Sequence, residues 1–412
     1  MTRPTSDGFG RPFWLLTLSN GFFFAGFHGL LPTVPLRALA LGGSTTEVGL
    51  VAGIFVLASL LVRFFADKLL RTLGTRTCLV IGILIAGFSA ALYSVAPSVT
   101  ALFGVRLVSG AGFGIGTTFY VTAIMEFIPA GRRGEGLGYF GLATTLAMAC
   151  APASALWIAG RWGFAPMFLA AAACEVIALA TLCVCPLPAR APAATQTGAA
   201  RASRGLFARL VEPGTRRAVV MVILFGTAYG GILNFVAVYA RTLGLGLAGV
   251  YFLVGTGCIV LARLATRTVY DRFGVAWAVA PGGVVLAVGV AVLAYASGPV
   301  SFLASAALYG WGVGMLFPAL QTETMAAVGP SRRAAASAAF SNALDVGLGG
   351  GSVVLGFLAQ YVGLSGAYLV GSAVLVIMLG VLVLVPRPAI PVGEAALPAA
   401  ATPDMARKVM NG

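Results

Sequence analysis

Long apolar runs separated by short polar connections make up most of the chain. A membrane-spanning helix needs about 20 mainly apolar residues in a row, and twelve stretches of the sequence meet that requirement. Gly and Pro mark the connections between them, as in Ala96-Pro97-Ser98. The pattern predicts an all-α polytopic membrane protein with twelve transmembrane helices. The predicted spans are 13–38, 47–66, 77–96, 99–127, 136–159, 164–186, 217–241, 247–266, 276–296, 299–327, 335–361 and 365–386.

Composition excludes the soluble classes of protein. Apolar residues make up 59% of the 412 residues and charged residues only 9%, against about 25% in ordinary soluble domains. The surface-to-volume ratio of a soluble chain of this length would force much of that apolar surface into water. The six cysteines lie in or beside apolar runs, so no disulfides are expected. No metal site is expected, since Cys183 and Cys185 have no His or acid beside them, and no cofactor either.

The positions of the basic residues predict the orientation in the membrane. Of the 26 Lys and Arg residues, 22 fall on the side that holds both termini. Arg37, Arg161 and Arg241 fall on the opposite side, and Arg106 lies inside the fourth span. Because the positive side faces the cytoplasm, both termini are expected in the cytoplasm and the protein in the inner membrane. The net charge of +14 does not come with interleaved exposed aromatics, so nucleic acid is not an expected partner.

Residues 187–216 form the longest polar interval within the membrane domain. Their Ala, Pro, Thr and Arg content predicts a cytoplasmic linker between two six-helix bundles, at 13–186 and 217–386. An alternative for 204–211 is a surface helix on anionic lipid. A cytoplasmic N-terminus at 1–12 and a disordered cytoplasmic tail at 387–412 complete the predicted organisation.

The two halves of the chain repeat each other at an offset of 200 residues. The glycines at 110, 112 and 114 recur at 310, 312 and 314, and the Arg pair at 132–133 recurs at 332–333. Parallel repeats of this kind are related by an axis along the membrane normal. They are typical of transporters whose halves rock around a central site.

Several motifs resemble those of one transporter family. The loop after the second span reads RFFADKLLRTLGTR (63–76), with a second copy RLATRTVYDRFG (263–274). The fourth span carries Arg106-Leu-Val-Ser-Gly110-Ala-Gly112, and the fifth has small residues around Pro152. Together with twelve spans and the repeat, these features resemble the major facilitator superfamily, above all its twelve-helix drug and metabolite exporters. The resemblance implies alternating access and exchange of the exported compound for protons.

The resemblance also implies which helix ends meet on the cytoplasmic face. The second span would lie against the eleventh and the eighth against the fifth, which places Asp67 near the Arg pair at 332–333 and Arg267 near Glu135. The alternative is that these are exposed cytoplasmic charges, whose pairs are worth only ~0.5 kcal/mol. The predicted cytoplasmic gate consists of Asp67, Arg71, Arg267, Asp271, Glu135, Arg332 and Arg333.

Charges inside the membrane are the main candidates for proton coupling. A charge at mid-span costs at least ~2.5 kcal/mol and usually faces a cavity or a partner. By resemblance, Arg106 faces the central cavity and takes part in proton coupling; the alternative is an arginine that extends to the interface. Asp345, near the middle of span eleven, could load and release a proton or form a structural hydrogen bond.

Two further polar residues in the spans are open to more than one interpretation. Glu175 lies in the sixth span, which the resemblance places at the periphery, so it is either a protonated buried acid or an exception on the lipid side. His28 is the only histidine. It could bind substrate or relay a proton, or serve as a polar packing residue.

Polar and aromatic side chains on the spans around the expected cavity suit an amphipathic organic substrate. Asn20, Phe24 and His28 share one face of the first span. Each of these residues taken alone is more often a packing residue. The predicted substrate cavity comprises Asn20, Phe24, His28, Tyr120, Tyr229, Asn234, Trp311 and Gln321.

The sequence thus predicts a secondary active transporter for a small organic molecule, acting as a monomer in the lipid bilayer. Proton-coupled efflux of a drug-like compound or secondary metabolite is favoured. A uniporter or proton symporter for a sugar or other metabolite is the alternative. A membrane enzyme would need clustered His, Asp or Cys residues, which the sequence does not suggest. The sequence has no Walker motif to indicate ATP as the energy source.

Overall fold

The computed structural model describes residues 9–187, 214–266, 276–329 and 332–386. The elements described there are helices, which confirms the predicted all-α fold. The N-terminal bundle consists of α1 (Arg11–Ala40), α2 (Thr45–Phe64), α3 (Ala66–Leu92), α4 (Val99–Ile124), α5 (Arg133–Trp162) and α6 (Phe164–Val184). The C-terminal bundle consists of α7 (Arg216–Thr242), α8 (Ala248–Thr266), α9 (Ala276–Ala294), α10 (Pro299–Ala326) and α11 (Arg333–Leu384).

Local capping explains where α2 and α4 begin. Ser44 and Glu47 form a capping box at α2: the Ser44 hydroxyl accepts from the Glu47 backbone N–H at 3.3 Å, and the Glu47 carboxylate accepts from the Ser44 N–H at 2.7 Å. At α4, the Ser98 hydroxyl accepts from the Ala101 N–H at 3.2 Å. Both caps follow short Gly- or Pro-containing connections, so the sequence stops one helix and starts the next within a few residues.

The helix count agrees with twelve crossings once one kink is considered. Within the described residues, ten helices are long and apolar enough to cross a membrane, and the segment Ala278–Ala294 is a shorter apolar helix. The 52-residue α11 contains Gly363 with φ 72° and ψ 171°, a left-handed conformation that favours glycine. Gly163 joins α5 to α6 with nearly the same angles, φ 92° and ψ 177°. The repeat therefore identifies Gly363 as the junction between two crossings.

Helix packing reproduces the repeat seen in the sequence. Gly110 of α4 packs on the backbone of Phe55 in α2, and Gly310 of α10 packs on the backbone of Gly255 in α8. Both members of the second contact lie 200 residues after those of the first. Small residues at these positions let the helix backbones approach closely. Residues that pack against Gly82, Gly112 and Gly114 likewise have counterparts 200 positions later, which pack against Gly282, Gly312 and Gly314.

The helix order defines two faces of the molecule. We call the face that holds the start of α1 and the ends of α6 and α11 the terminal face, and the face that holds the connections at 41–44 and 160–163 the opposite face. Across the boundary between bundles, α2 packs against α11 and α5 against α8. These are the helix pairs that the family resemblance implied. The predicted linker and tail lie almost wholly outside the described residues.

Candidate functional site

The two bundles meet closely near the opposite face. Gly49 of α2 packs on the backbone of Ser352 in α11, and the Thr46 hydroxyl donates to the Gln360 side-chain oxygen at 2.6 Å. Between α5 and α8, a side-chain carbon at Gly249 would stand 3.5 Å from a backbone atom of α5. The contacts join the bundles on the side where both helix pairs have their outer ends. A path between α2 and α11 would therefore have to open toward the terminal face.

An ion pair crosses the boundary nearer the terminal face than these contacts. Arg63, in the last turn of α2, donates to the Asp345 carboxylate of α11, and its second terminal nitrogen lies 3.3 Å from the Thr117 hydroxyl of α4. The side chains of Arg63 and Asp345 are 19% and 20% exposed. The pair therefore joins the bundles at a partly exposed place. Because a neutral acid loses its charge attraction to arginine, protonation would weaken this connection.

Arg106 occupies a different environment from the one predicted. Its guanidinium is fully buried in the N-terminal bundle, where Nε donates to the Val51 carbonyl of α2 at 3.3 Å. The group lies 4.5 Å from the centre of the Phe55 ring, a cation–π distance, and Nη1 has no hydrogen-bond partner. The side chain is thus directed at α2 instead of an open cavity. Its part in proton coupling stays a prediction.

His28 lies at the edge of an aromatic cluster on the inner side of the N-terminal bundle. Its ring centre is 5.2 Å from that of Phe27 and 6.0 Å from that of Phe24. Phe27 in turn stacks on Phe113 of α4 at 4.0 Å. Phe24, Phe27 and Phe113 are half-buried. This cluster gives α1 and α4 an apolar, partly accessible surface beside the imidazole, as expected for part of a site for an aromatic or apolar compound.

The two predicted asparagines join helices within their own bundles. The Asn20 amide donates to the Thr144 hydroxyl of α5 at 3.0 Å, and its oxygen is buried with no hydrogen-bond partner. The Asn234 amide donates to the Gly230 carbonyl at 3.0 Å and lies 3.1 Å from the Ser352 hydroxyl. Both are buried. Each asparagine therefore joins two helices through its amide nitrogen, and each retains a buried side-chain oxygen with no hydrogen-bond partner.

Tyr229 reaches from the C-terminal bundle to the N-terminal bundle. Its hydroxyl lies 3.9 Å from the sulfur of Met148 in α5, and its ring stacks on Phe225 and on Tyr309. Tyr120, by contrast, is fully buried, with its hydroxyl 2.6 Å from that of Ser19. Of the two predicted tyrosines, only Tyr229 contacts both bundles.

Of the two predicted cavity residues on α10, Trp311 lies away from the other helices of the expected cavity, and the role of Gln321 stays a prediction. Tyr309 marks the side of α10 that faces α7, through its stack on Tyr229. Trp311 is two positions farther, which turns it about 200° around the helix, and it is 37% exposed. Trp311 is therefore directed away from α7, contrary to the cavity prediction. Gln321 is half-buried near the terminal end of the helix.

Glu175 lies inside the N-terminal bundle and not on its lipid side. It is 4% exposed, and its side chain packs over Gly26 of α1 and Gly87 of α3. The carboxylate atom Oε2 is buried with no hydrogen-bond partner. The glycines leave the space that this acid fills. Of the two interpretations of the sequence, the geometry agrees with the buried one.

The predicted gate is only partly described. Arg267, Asp271 and the side chain of Asp67 lie outside the described residues. Glu135 accepts two hydrogen bonds from Arg132, each 2.8 Å long, on the terminal face, and Arg71 and Arg333 are exposed while Arg332 is half-buried. The pairing of Glu135 with Arg132 was not anticipated from the sequence. The gate itself stays a prediction.

Two charge contacts were missed at the sequence level. Arg63 was seen only as the start of a loop motif, although its repeat at Arg263 singled out the position. Glu323 lies near the end of α10, where it is 6% exposed and lies 2.6 Å from Arg217 of α7. Arg217 also donates to the Leu382 carbonyl in α11 at 2.8 Å. No short-range pattern connects residues this far apart in the sequence.

Comparison with known proteins agrees with this geometry. Residues 14–297 and 268–409 match the family model of the Major Facilitator Superfamily. The chain belongs to this superfamily. Among the relatives of this superfamily member, the staphylopine export protein of Staphylococcus aureus is 24% identical over 379 residues, 89% of this chain and 94% of that protein. Multidrug resistance protein 1 of Bacillus subtilis is 22% identical over 264 residues, 63% of this chain and 66% of that protein.

Solved structures show the same fold. A mutant of the nucleoside transporter NupG superposes with a TM-score of 0.77 at 15% sequence identity, covering 90% of this chain and 99% of that one. At this identity the likeness concerns the fold alone. The superfamily member described here is therefore a multi-pass membrane transporter of small molecules, and not an enzyme.

Proposed function

We propose that this superfamily member exports a small organic molecule in exchange for protons, and that Asp345 carries the coupled proton. In this proposal the N-terminal bundle (13–186) and the C-terminal bundle (217–386) rock around a site between them. The terminal face is cytoplasmic, as the excess of basic residues on that side indicates. The full-length similarity to an export protein supports the direction of transport.

The observation that carries the proposal is the ion pair between Arg63 and Asp345. It joins the two bundles, it is partly exposed, and it lies on the terminal side of the closed contact between α2 and α11. With Asp345 ionised, the pair holds this conformation. Protonation of Asp345 removes the charge attraction, so the bundles are released to move. Proton binding and conformation are then linked through one carboxylate.

The substrate site of the proposal lies between the bundles, on the terminal side of the closed contact. The half-buried rings of Phe24, Phe27 and Phe113 contribute an apolar wall, and Tyr229 approaches from the other bundle. Such a mixture of aromatic surface and few polar groups suits an amphipathic organic compound. A single chain supplies both walls, so a monomer is sufficient for transport.

Transport by proteoliposomes tests the proposal. Compounds that raise the melting temperature of the purified full-length protein are selected first, and pyranine inside the vesicles then reports proton movement when a compound is added. The proposal expects proton movement opposite to that of the compound, and transport that stops when nigericin collapses the proton gradient. Transport that continues after the proton gradient has collapsed would instead favour a uniporter. Movement of the compound and protons in the same direction would favour a symporter.

Two variants distinguish a loss of proton coupling from a loss of folding. Asp345→Asn is expected to keep compound binding and lose compound-driven proton movement, because asparagine cannot carry the proton. Ser341→Ala, one turn earlier on the same helix and exposed, is the matched control and is expected to transport as the wild type does. Full proton movement in Asp345→Asn would remove Asp345 from the coupling mechanism.

A further inference from the structure

A large apolar cleft lies at the boundary between the bundles on the opposite face. Its volume is about 710 Å³, and its walls come from α1, α5 and α6 on one side and α7 and α8 on the other. Arg241 is the one charged residue among those that line it. The cleft lies far from the Arg63–Asp345 pair, so the transport proposal does not use it.

The basic residues of the opposite face gather at this cleft. Arg241 lines it, Arg161 directly follows the lining residue Gly160, and the Arg37 guanidinium lies 5.8 Å from the ring of the lining residue Phe164. The connections of this face, at 41–44, 93–98, 160–163, 243–247, 295–298 and 363, are all described, and they contain no further Lys or Arg. Of the three arginines of this face, Arg241 thus lines the cleft, and Arg37 and Arg161 lie next to residues that line it, with Arg37 also donating to the Ala96 carbonyl at 3.4 Å.

Two exposed tryptophans indicate the depth of the cleft in the membrane. Trp157 lines it and is 63% exposed, and Trp162 is 58% exposed, with the two rings edge to face at 4.9 Å. Exposed tryptophans of this kind lie at the level of the lipid headgroups. The arginines thus stand at headgroup depth, and the apolar walls lie beside the level of the acyl chains.

We propose that this cleft binds an anionic phospholipid from the leaflet on the opposite face. Arginine binds phosphate through several directed hydrogen bonds, so the arginine rim suits the headgroup phosphate. The apolar cleft suits one acyl chain. A phospholipid combines both chemistries in one molecule, as neither a free anion nor a neutral hydrocarbon does. Because both bundles form the walls, the bound lipid contacts both sides of the moving boundary.

Native mass spectrometry of the purified full-length protein tests this site. The protein is exchanged into detergent with either dioleoylphosphatidylglycerol or dioleoylphosphatidylcholine, which differ in headgroup charge and share their acyl chains. The proposal expects one phosphatidylglycerol to bind about tenfold more tightly than phosphatidylcholine, the effect of about one good charged contact. Equal binding of the two lipids would overturn it.

Variants localise the binding. Arg241→Gln is expected to remove the preference for phosphatidylglycerol, whereas Arg216→Gln, an exposed arginine on the terminal face, keeps it. Equal effects of the two changes would overturn the proposal. Displacement of the lipid by glycerol phosphate alone would also contradict it, because that result would assign the rim to free anions. Displacement by an exported compound would contradict it as well, because the cleft would then be a substrate site.

A second pair of variants keeps the test decisive if the arginine variants do not fold. Gly246 lines the cleft and Gly104 lies on α4, and both have open space around the position of a side chain. Gly246→Phe is expected to lower occupancy by phosphatidylglycerol several-fold by filling the cleft, and Gly104→Phe is expected to leave it unchanged. Unchanged binding in Gly246→Phe would overturn the placement of the acyl chain.

Discussion

In the C-terminal bundle the buried acid Glu323 and the buried base Arg217 lie 2.6 Å apart, whereas in the N-terminal bundle Glu175 and Arg106 are buried at separate places. Glu175 packs over glycines, and Arg106 over a carbonyl and an aromatic ring. One bundle thus neutralises its charge internally. In the other, the buried acid and the buried base do not meet, and Oε2 of Glu175 and Nη1 of Arg106 have no hydrogen-bond partner.

An ion pair can be linked to movement of the bundles only where it joins one bundle to the other. An ion pair within one bundle moves together with that bundle, so its geometry does not depend on the position of the other bundle. Arg63 of the N-terminal bundle finds its acid, Asp345, across the boundary, so that pair depends on how the bundles are arranged. The repeat makes the contrast informative, because the helix packing on both sides is nearly the same. The two halves therefore differ in where their charged residues lie, and not in their backbone architecture.

The largest expected effect comes from breaking the internal pair. Arg217→Ala leaves Glu323 buried without this partner, and loss of one member of a buried pair costs about 3–5 kcal/mol. Thermal unfolding in detergent measures the loss. The double variant Arg217→Met with Glu323→Leu should recover most of it, because no charge is left uncompensated. A double variant as unstable as the single one would show that the pair does not neutralise the bundle.

Glycine substitutions test whether the two halves share their packing. Gly110→Val and Gly310→Val each drive a side chain into a neighbouring helix backbone and should each cost about 1–3 kcal/mol. Gly104→Val, in open space on α4, serves as the control and should cost much less. Urea or thermal unfolding gives the comparison. Strongly unequal losses at Gly110 and Gly310 would contradict the equivalence of the two helix pairs.

A neutral isostere sharpens the contrast between the two acids. Glu175→Gln should change stability by less than about 1 kcal/mol, because no ion pair is lost and the shape of the side chain is kept. Glu323→Gln should cost clearly more, since Arg217 then loses its carboxylate. Parallel melting curves of the two variants decide the point. Equal losses in both would mean that Glu175 is neutralised as Glu323 is.

The smallest effect is expected at the surface. Glu135→Gln removes the exposed pair with Arg132 on the terminal face, and exposed pairs are worth about 0–1 kcal/mol. Added salt should reduce the already small loss further, since salt screens exposed charges. A loss as large as that of Arg217→Ala would show that this pair is part of a buried network.

Much of the fold could be predicted from the sequence because the signals are long or repeated. Apolar runs of membrane-spanning length locate the helices, and the recurring glycines identify the repeat of the two halves. The junction at Gly363 follows from its repeat at Gly163. These features depend on backbone packing, which a residue pattern encodes directly.

The candidate site was harder to predict because it depends on side-chain direction. Trp311 stands on the expected helix but on the wrong face, since a family resemblance places helices and not their rotation. Asp345 was chosen for its depth, yet its partner Arg63 lies 282 residues away in the sequence. Arg106 was expected in a cavity and is packed against α2. Contacts of this kind follow from tertiary structure and not from spacing.

The proposed role of Asp345 is tested most directly by distances between spin labels on the terminal face as the pH changes. Labels at Leu137→Cys in α5 and Leu264→Cys in α8, both exposed positions, span the boundary in a variant lacking the six native cysteines. If Asp345 controls the movement of the bundles, the distances in the wild type are shorter at acidic pH, and Asp345→Asn shows the acidic distribution at every pH. A distribution that still shifts with pH in Asp345→Asn, as it does in the wild type, would contradict this role of Asp345.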